Sequence, residues 1–213
     1  MSLTRDRLGY TKACFEQLQA LAGCPYDHYV LDNGSQDGTV EWLRDEYEPC
    51  HGFLTLCDTN IGVSKGMNEM LNMARAFDHS YDVIVKFDND CEILRRDTLA
   101  TVCRLVHENP TWILSPKIEG LDSPPPVDHE TEVGGERVYA MSMIGGIFMA
   151  VPASVYDTYR YDENNPVWGM DDVGLCAWWK SKGNRAGYLA DWPANHYETT
   201  RGQRERYVEY FER

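Results

Sequence analysis

"VLDNGSQDGT", residues 30–39, crowds two aspartates, an asparagine, a serine and two glycines behind an apolar run. Calcium loops share this oxygen-rich, glycine-punctuated texture, so the first question is whether the stretch grips a cation. A helix-loop-helix calcium loop needs glycine at its sixth position and a bidentate glutamate at its twelfth. With Gly38 sixth, Asn33 stands first and Arg44 twelfth, and an arginine cannot ligate calcium. The alternative is a strand over 28–31 that ends at Asp32 and turns through Asn33-Gly34-Ser35. A helix then starts near Gly38 and buries Val40, Leu43 and Tyr47. On this reading the stretch is a binding loop at the carboxyl end of a strand.

Working outward, Tyr10, Cys14, Leu18 and Leu21 recur at helical spacing and are closed by the turn Gly23-Cys24-Pro25. Residues 53–56 form an extended run. A helix follows whose apolar face is Val63, Met67, Met70, Leu71, Ala74 and Phe77, and whose other face carries Lys65, Asn68 and Asn72. Residues 83–87 predict a buried strand running straight into Asp88-Asn89-Asp90, and Leu99, Val102, Cys103 and Val106 begin another helix. This alternation predicts an α/β fold on an open, mostly parallel sheet, with ligands at the carboxyl ends of the strands. Beyond residue 110, "TWILSPKI", "RVYAMSM" and "IFMAVP" are extended pieces separated by a proline-rich loop, 122–136, and by Gly145-Gly146. They predict a sheet edge. A helix over 171–181, a strand around 185–190 and a polar tail complete the chain.

The 213 residues, 43% of them hydrophobic, suit a globular protein of one domain, residues 1–213. Lys and Arg number 20 against 34 Asp and Glu, a formal charge of −14, which repels phosphate backbones and anionic lipid. No basic run interrupts that balance, so no nucleic-acid partner is expected. The seven cysteines are odd in number and contain no CxxC pair, which argues against a disulfide framework and a zinc site and for a reducing, cytoplasmic setting. No apolar stretch approaches the ~20 residues of a membrane span, and no signal peptide opens the chain. A soluble protein is expected.

Asp88 and Asp90 stand just past a buried strand, and alternation along an extended chain projects both carboxylates from one side. Such a pair can dock Mg²⁺ or Mn²⁺, the remaining positions being left to phosphate oxygens and water, although acidic pairs also occur as solvated turns. Asp171 and Asp172 begin the helix that carries Leu175 and Trp179. There a carboxylate serves either as a proton acceptor or as a helix cap.

Seven segments in order carry a resemblance: "TRDRLGYTKACFEQL", "VLDNGSQDGT", "NIGVSKGMNEML", "KFDND", "GGIFMAVP", "WGMDDVGLCAWWKSKG" and "NHYETTRG". Together they cover nearly the whole chain, which resembles a GT-A fold glycosyltransferase, most closely the large family 2 of inverting enzymes. The resemblance implies a nucleotide-sugar half, 1–110, and an acceptor half, 111–213. It implies that Asp32 accepts a hydrogen bond from a pyrimidine ring, and that Thr4, Arg5 and Arg7 line the base and phosphates. Asn60, Lys65 and Asn68 then flank the nucleotide, and Asn89 faces the sugar or ribose. Asp88 and Asp90 take the metal, Mn²⁺ or Mg²⁺, with His196 beside it. Gly145, Gly146 and Trp168 lie on the acceptor side, with Trp192 a second flat face or a packing residue. Asp172 is the general base and Asp171 the acidic residue before it. The implied reaction moves a sugar, from a UDP-sugar before other donors, to a glycan or other hydroxyl-bearing acceptor with inversion. A retaining enzyme of the same fold and a catalytically silent sugar-nucleotide or glycan-binding module are the alternatives. Two departures stand out. Only Met1-Ser2-Leu3 precedes the first loop where the family has a strand of ~5 to 6 residues. The usual Asn-Arg-Pro reads Asp6-Arg7-Leu8.

Overall fold

The computed structural model describes residues 1–47, 52–76, 80–122, 126–164, 170–198, 200–206 and 208. Strands β1 (Ser2–Thr4), β2 (His28–Asp32) and β3 (Gly52–Leu56) run parallel, with β2 in the middle and Leu31 opposite both Leu3 and Thr55. All of β2 is buried, which is why an uninterrupted run marks it in the sequence. Helix α1 (Leu8–Leu21) links β1 to β2 and buries Cys14, Phe15 and Leu18. After β2, helix α2 (Thr39–Trp42) winds on as a π-helical turn, Leu43–Tyr47. Leu43 and Tyr47 are inside as expected, but Val40 is only half-buried and Trp42 takes the inward position. The indole offers more apolar area and packs against Phe15 and Tyr47 at ring distances of 6.2 and 5.3 Å.

Helix α3 (Val63–Ala76) buries Met67, Met70, Leu71 and Ala74, while Phe77 lies outside the described residues. Strand β4 (Val83–Phe87) then joins β1. The Met1 nitrogen donates to Val85 O at 2.8 Å and Phe87 N donates to Met1 O at 2.9 Å, the pattern of a parallel pair. Strands β3-β2-β1 thus form one parallel sheet, and the Met1 bonds set β4, the end strand of a second sheet, alongside β1, which is only three residues long.

The second half builds this second, mixed sheet outward from β4. The additional strands are β5 (Cys91–Ile93), β6 (Trp112–Glu119), β7 (His129–Val133), β8 (Glu136–Met141), β9 (Phe148–Pro152) and β10 (Arg185–His196). Their order is β4-β9-β6-β10-β8-β7, with β5 pairing β10. The expected sheet edge after residue 110 is thus corrected. β9 runs antiparallel to β4, Phe87 opposite Phe148, and β9 and β6 are interior strands. Their unbroken runs of buried residues, Trp112–Pro116 and Phe148–Pro152, belong to strands covered on both faces. The true edge is β7, hidden within the expected loop 122–136. Its sequence, His-Glu-Thr-Glu-Val, is largely exposed and gives no apolar signal. β10 also outruns its expected end near residue 190, because a register shift between Leu189 and Pro193 accommodates the proline and lets pairing with β6 resume.

Helices α4 (Thr98–Glu108), α5 (Met170–Ser181) and α6 (Thr200–Arg206) complete the fold, the last inside the expected polar tail. One hydrophobic cluster, including Leu31, Phe87, Ile113, Phe148 and Leu175, crosses residue 110 without a break. Among the described residues no helix is long and apolar enough to cross a membrane.

Asn68 corrects the expected open face of α3, for it is buried. Its Nδ2 donates to Tyr161 O at 2.9 Å and Glu163 Oε1 at 2.8 Å, and its Oδ1 accepts from Tyr161 N at 3.1 Å. These bonds pin the segment ahead of α5 to the first half. Asn68→Ala strands the buried Tyr161 backbone groups and should cost about 2–3 kcal/mol in a urea unfolding experiment.

Candidate active site

The carboxyl ends of β1, β2 and β4 share one edge of the sheet, and the candidate residues gather there. The oxygen-rich loop at residues 30–39 turns its oxygens inward. Asp32 is fully buried: Oδ1 accepts from Gly34 N (3.1 Å) and Ser35 N (2.8 Å), and Oδ2 accepts from Thr4 Oγ1 (3.0 Å) and Ser35 Oγ (2.5 Å). Gly34 has φ +80°, and a Cβ there would meet the Thr59 carbonyl carbon at 2.9 Å, so glycine is required. Asp37 accepts from Thr39 N at 3.1 Å, at the first residue of α2, and from Leu8 N at 2.8 Å, where α1 begins. Asp6 N donates to Ser35 Oγ and Gln36 N donates to Asp6 Oδ1, both at 2.7 Å. These cross-links hold Asp6 and Arg7 at φ 51° and 62°, a left-handed conformation that costs each of them ~1 kcal/mol or more.

The Asp32 carboxylate therefore shapes its loop and reaches no open surface. Asn33, which the sequence reading passed over, ties the next loop on, its Oδ1 accepting from Ile61 N at 2.7 Å. Beside it Asn60 and Lys65 are exposed, and Arg5 is half-buried.

A second group forms around Asp90. The chain turns at Asn89-Asp90, with Cys91 N donating to Asp88 O at 3.3 Å, so the strand alternation that was to place both carboxylates on one side does not continue past β4. Asp90 Oδ2 accepts from Arg7 NH1 at 2.8 Å, Gln203 Nε2 at 3.0 Å and His196 Nε2 at 3.2 Å. Arg7 NH2 donates to Asn89 Oδ1 at 2.8 Å, and Asn89 Nδ2 to Thr11 Oγ1 at 2.8 Å. His196 arrives because β10 pairs with β5 in the register His196 opposite Cys91. Burial opposes ionisation of Asp90, yet the His196 and Gln203 hydrogen bonds and the Arg7 guanidinium hold its carboxyl well below the usual range. Burial also works against the His196 imidazolium, and the bond to Asp90 outweighs it, raising the imidazole.

The third group centres on Lys86, which the sequence reading missed inside its apolar strand. Its buried Nζ lies 3.1 Å from Asp88 Oδ1 and 3.3 Å from Asp171 Oδ2, and donates to Gly146 O at 3.0 Å. Burial pushes the Asp88 carboxyl up to about 6 even with Lys86 pulling it down. Asp171 is buried. Asp172, next in the chain, is half-buried and Oδ2 accepts from Gly146 N at 2.9 Å. Gly145 N donates to Tyr188 Oη at 2.9 Å, which fixes the glycine turn from β10. Trp168 lies outside the described residues. Trp192 is a packing residue, buried on β10 with its indole N–H donating to Glu136 and Arg95 stacked 3.7 Å above its ring.

All three bonds to Asp90 fall on Oδ2, and Asp88 is a third exposed. Among the described residues no three His, Cys, Asp or Glu side chains are grouped to hold a metal on their own. The donor set fits a hard cation that takes one or two carboxylates and completes its shell with phosphate oxygens and water. A cavity of about 500 Å³ lined by Tyr26, Tyr29, Tyr81 and Cys103 opens at the amino ends of β2 and β4 and contains none of these groups.

No protein-family model matches the sequence, and no curated protein does. Solved structures match over almost the whole chain. GalNAc-T7 with UDP, GalNAc and Mn²⁺ superposes with a TM-score of 0.73 at 12% identity, over 92% of this chain and 42% of that one. The mannosyltransferase PcManGT from Pyrobaculum calidifontis, in complex with GDP-Man and Mn²⁺, gives 0.72 at 16%, over 98% and 59%. TarS from S. aureus gives 0.70 at 14%, over 97% and 37%. The chain has the GT-A fold. It spans about 60% or less of the length of these structures.

The Arg7 cluster belongs to the GT-A framework of this chain as much as to its site. Arg7→Met leaves Asp90 buried without its permanent cation, and a loss of about 3 kcal/mol or more in urea unfolding is expected.

Proposed function

We propose that this chain is a metal-dependent glycosyltransferase that moves a sugar from a nucleotide diphosphate sugar, a UDP-sugar first among them, to an acceptor hydroxyl with inversion. The fold supports a transferase of this class, and the solved structures of that fold holding UDP or GDP-Man with Mn²⁺ support the donor class and a divalent ion. The observation that carries the reading is the different placement of two adjacent carboxylates. Asp171 is buried against Lys86, whereas Asp172 keeps a solvent-facing side and is steadied by Gly146 N.

Proton transfer is assigned to Asp172. An attacking hydroxyl must lose its proton as the new bond forms, and a carboxylate within hydrogen-bond reach accepts it. Burial raises the Asp172 carboxyl, Lys86 draws it back and Asp171 raises it again, which makes it a stronger base than a free aspartate. The first turn of α5 favours anions on both residues. A divalent ion held by Asp88 and Asp90 together with the diphosphate oxygens would supply charge neutralisation on the departing nucleoside diphosphate. Arg5, Asn60 and Lys65 border the donor side, where the exposed lysine can meet a phosphate.

A binding screen of UDP, GDP, dTDP and CMP, with and without Mn²⁺, tests the reading: one nucleoside diphosphate should bind, and more tightly with the metal. On the donor so identified, Asp172→Asn should lower kcat by about 10²–10⁴ while nucleotide binding persists. Turnover that survives the substitution refutes the assignment of the base. Because the Asp172 carboxyl is raised, the acid limb of kcat/KM should lie above the ~3.9 of a free aspartate, activity falling as pH drops through it.

A further inference from the structure

The buried cation at Lys86 has no place in the reaction proposed above, yet it touches both sides of the site. An ammonium has three N–H donors. Here they face Asp88 Oδ1 at 3.1 Å at the end of β4, Asp171 Oδ2 at 3.3 Å at the start of α5, and Gly146 O at 3.0 Å in the turn before β9. The contact to Asp171 is one of charge, since no aligned hydrogen bond reaches that oxygen. With its donors facing these groups and its side chain 9% exposed, Lys86 has nothing left to offer a substrate. Gly146, whose carbonyl accepts from Lys86, also donates its own N–H to Asp172 Oδ2 at 2.9 Å. Close approach is built in: a Cβ on Gly146 would lie 2.4 Å from Lys86 Nζ and 3.4 Å from Asp172 Cβ.

We propose that Lys86 is a positioning residue, tying the donor-side carboxylate Asp88 to the start of α5 and, through Gly146, holding the Asp172 carboxylate in the orientation in which it accepts the acceptor's proton. The proposal rests on the assignment of Asp172 as the base. Without the tie, Asp88 and Asp171 face each other as like charges across the space Lys86 fills, and both the glycine turn and the first turn of α5 lose their common anchor. The groups facing Asp172 are Lys86 from β4, Asp171 on its own helix, Cys176 one turn on, Tyr159 and Tyr188. Burial raises Tyr159 to about 12 and Cys176 to about 11, and raises Tyr188 as well. Near neutral pH these three groups are therefore uncharged, and Lys86 is the cation beside Asp172.

The test follows the Asp172 carboxyl carbon by ¹³C NMR across a pH titration, the signal being assigned by its loss in Asp172→Asn. In Lys86→Met the midpoint should move up by about one pH unit or more, as the cation that favours the ionised form is removed. Gly146→Ala is measured beside it, and stands alone should Lys86→Met not fold: the added methyl breaks the turn without altering charge, and the midpoint should again move. A lysine that acts through its charge alone moves the midpoint in Lys86→Met only. An unmoved midpoint overturns the proposal and leaves the reaction reading intact. Turnover that survives Asp172→Asn sinks the reaction reading and leaves the geometric tie standing.

Discussion

Four carboxylates, Asp88, Asp90, Asp171 and Asp172, converge at one edge of the sheet in a chain whose formal charge is already −14. Like charges ~4 Å apart repel by roughly 4 kcal/mol at the effective dielectric of a partly buried site. The edge holds together because two cations are buried among them. Arg7 pairs with Asp90, and Lys86 stands between Asp88 and Asp171. The two are not interchangeable. Arg7 presents a planar fork that meets Asp90, Asn89 and Gln203 together, a task its geometry suits, while Lys86 is a compact point charge among three partners on separate elements. Removing either leaves an uncompensated buried anion, the costly state for a low-dielectric site.

Each cation depends on local structure that has no charge of its own. Arg7 reaches Asp90 only because Asp6 and Arg7 adopt the left-handed conformation, and that conformation is held by Ser35, Gln36 and Asp37 of the loop after β2. The loop in turn keeps its shape through Asp32, whose two oxygens are consumed by Thr4, Gly34 and Ser35. The oxygen-rich stretch is thus a scaffold one step removed from the chemistry: Asp32 shapes a loop, the loop strains Arg7, and Arg7 neutralises Asp90.

Much of this could be read from the sequence, and the failures have physical causes. The parallel half was readable because β2 is apolar throughout and α3 shows a clean face, and the positions of Asp88, Asp90 and Asp172 followed from where apolar runs stop. β7 was hidden because an exposed edge strand carries no apolar pattern. β6 and β9 were misplaced to an edge because strand composition records burial and says nothing of neighbours. Asp32 was read by its charge, whereas its partners are backbone N–H groups and hydroxyls, which no residue pattern displays. Lys86 had a signal that went unused: a lysine within Val-Ile-Val-Lys-Phe, pointing the same way as the aspartate two residues on, must find an anion if the strand is buried. Gln203 had none, since its contact with Asp90 spans 113 residues and depends on how β10 ends.

Adjacency in sequence also separates Asp171 from Asp172. Consecutive residues on a helix point about 100° apart, so a pair at the start of α5 cannot share one environment. One carboxylate turns into the sheet and meets Lys86; the other stays at the rim and meets Gly146 N. The inner charge is compensated, while the outer one feels burial, a neighbouring anion and a cation at one remove, a balance that leaves it raised and accessible. Two aspartates side by side thus meet different surroundings, one anchored against Lys86 and the other a rim carboxylate on Gly146 N. The helix start sets the division, and Lys86 decides which of the two is which.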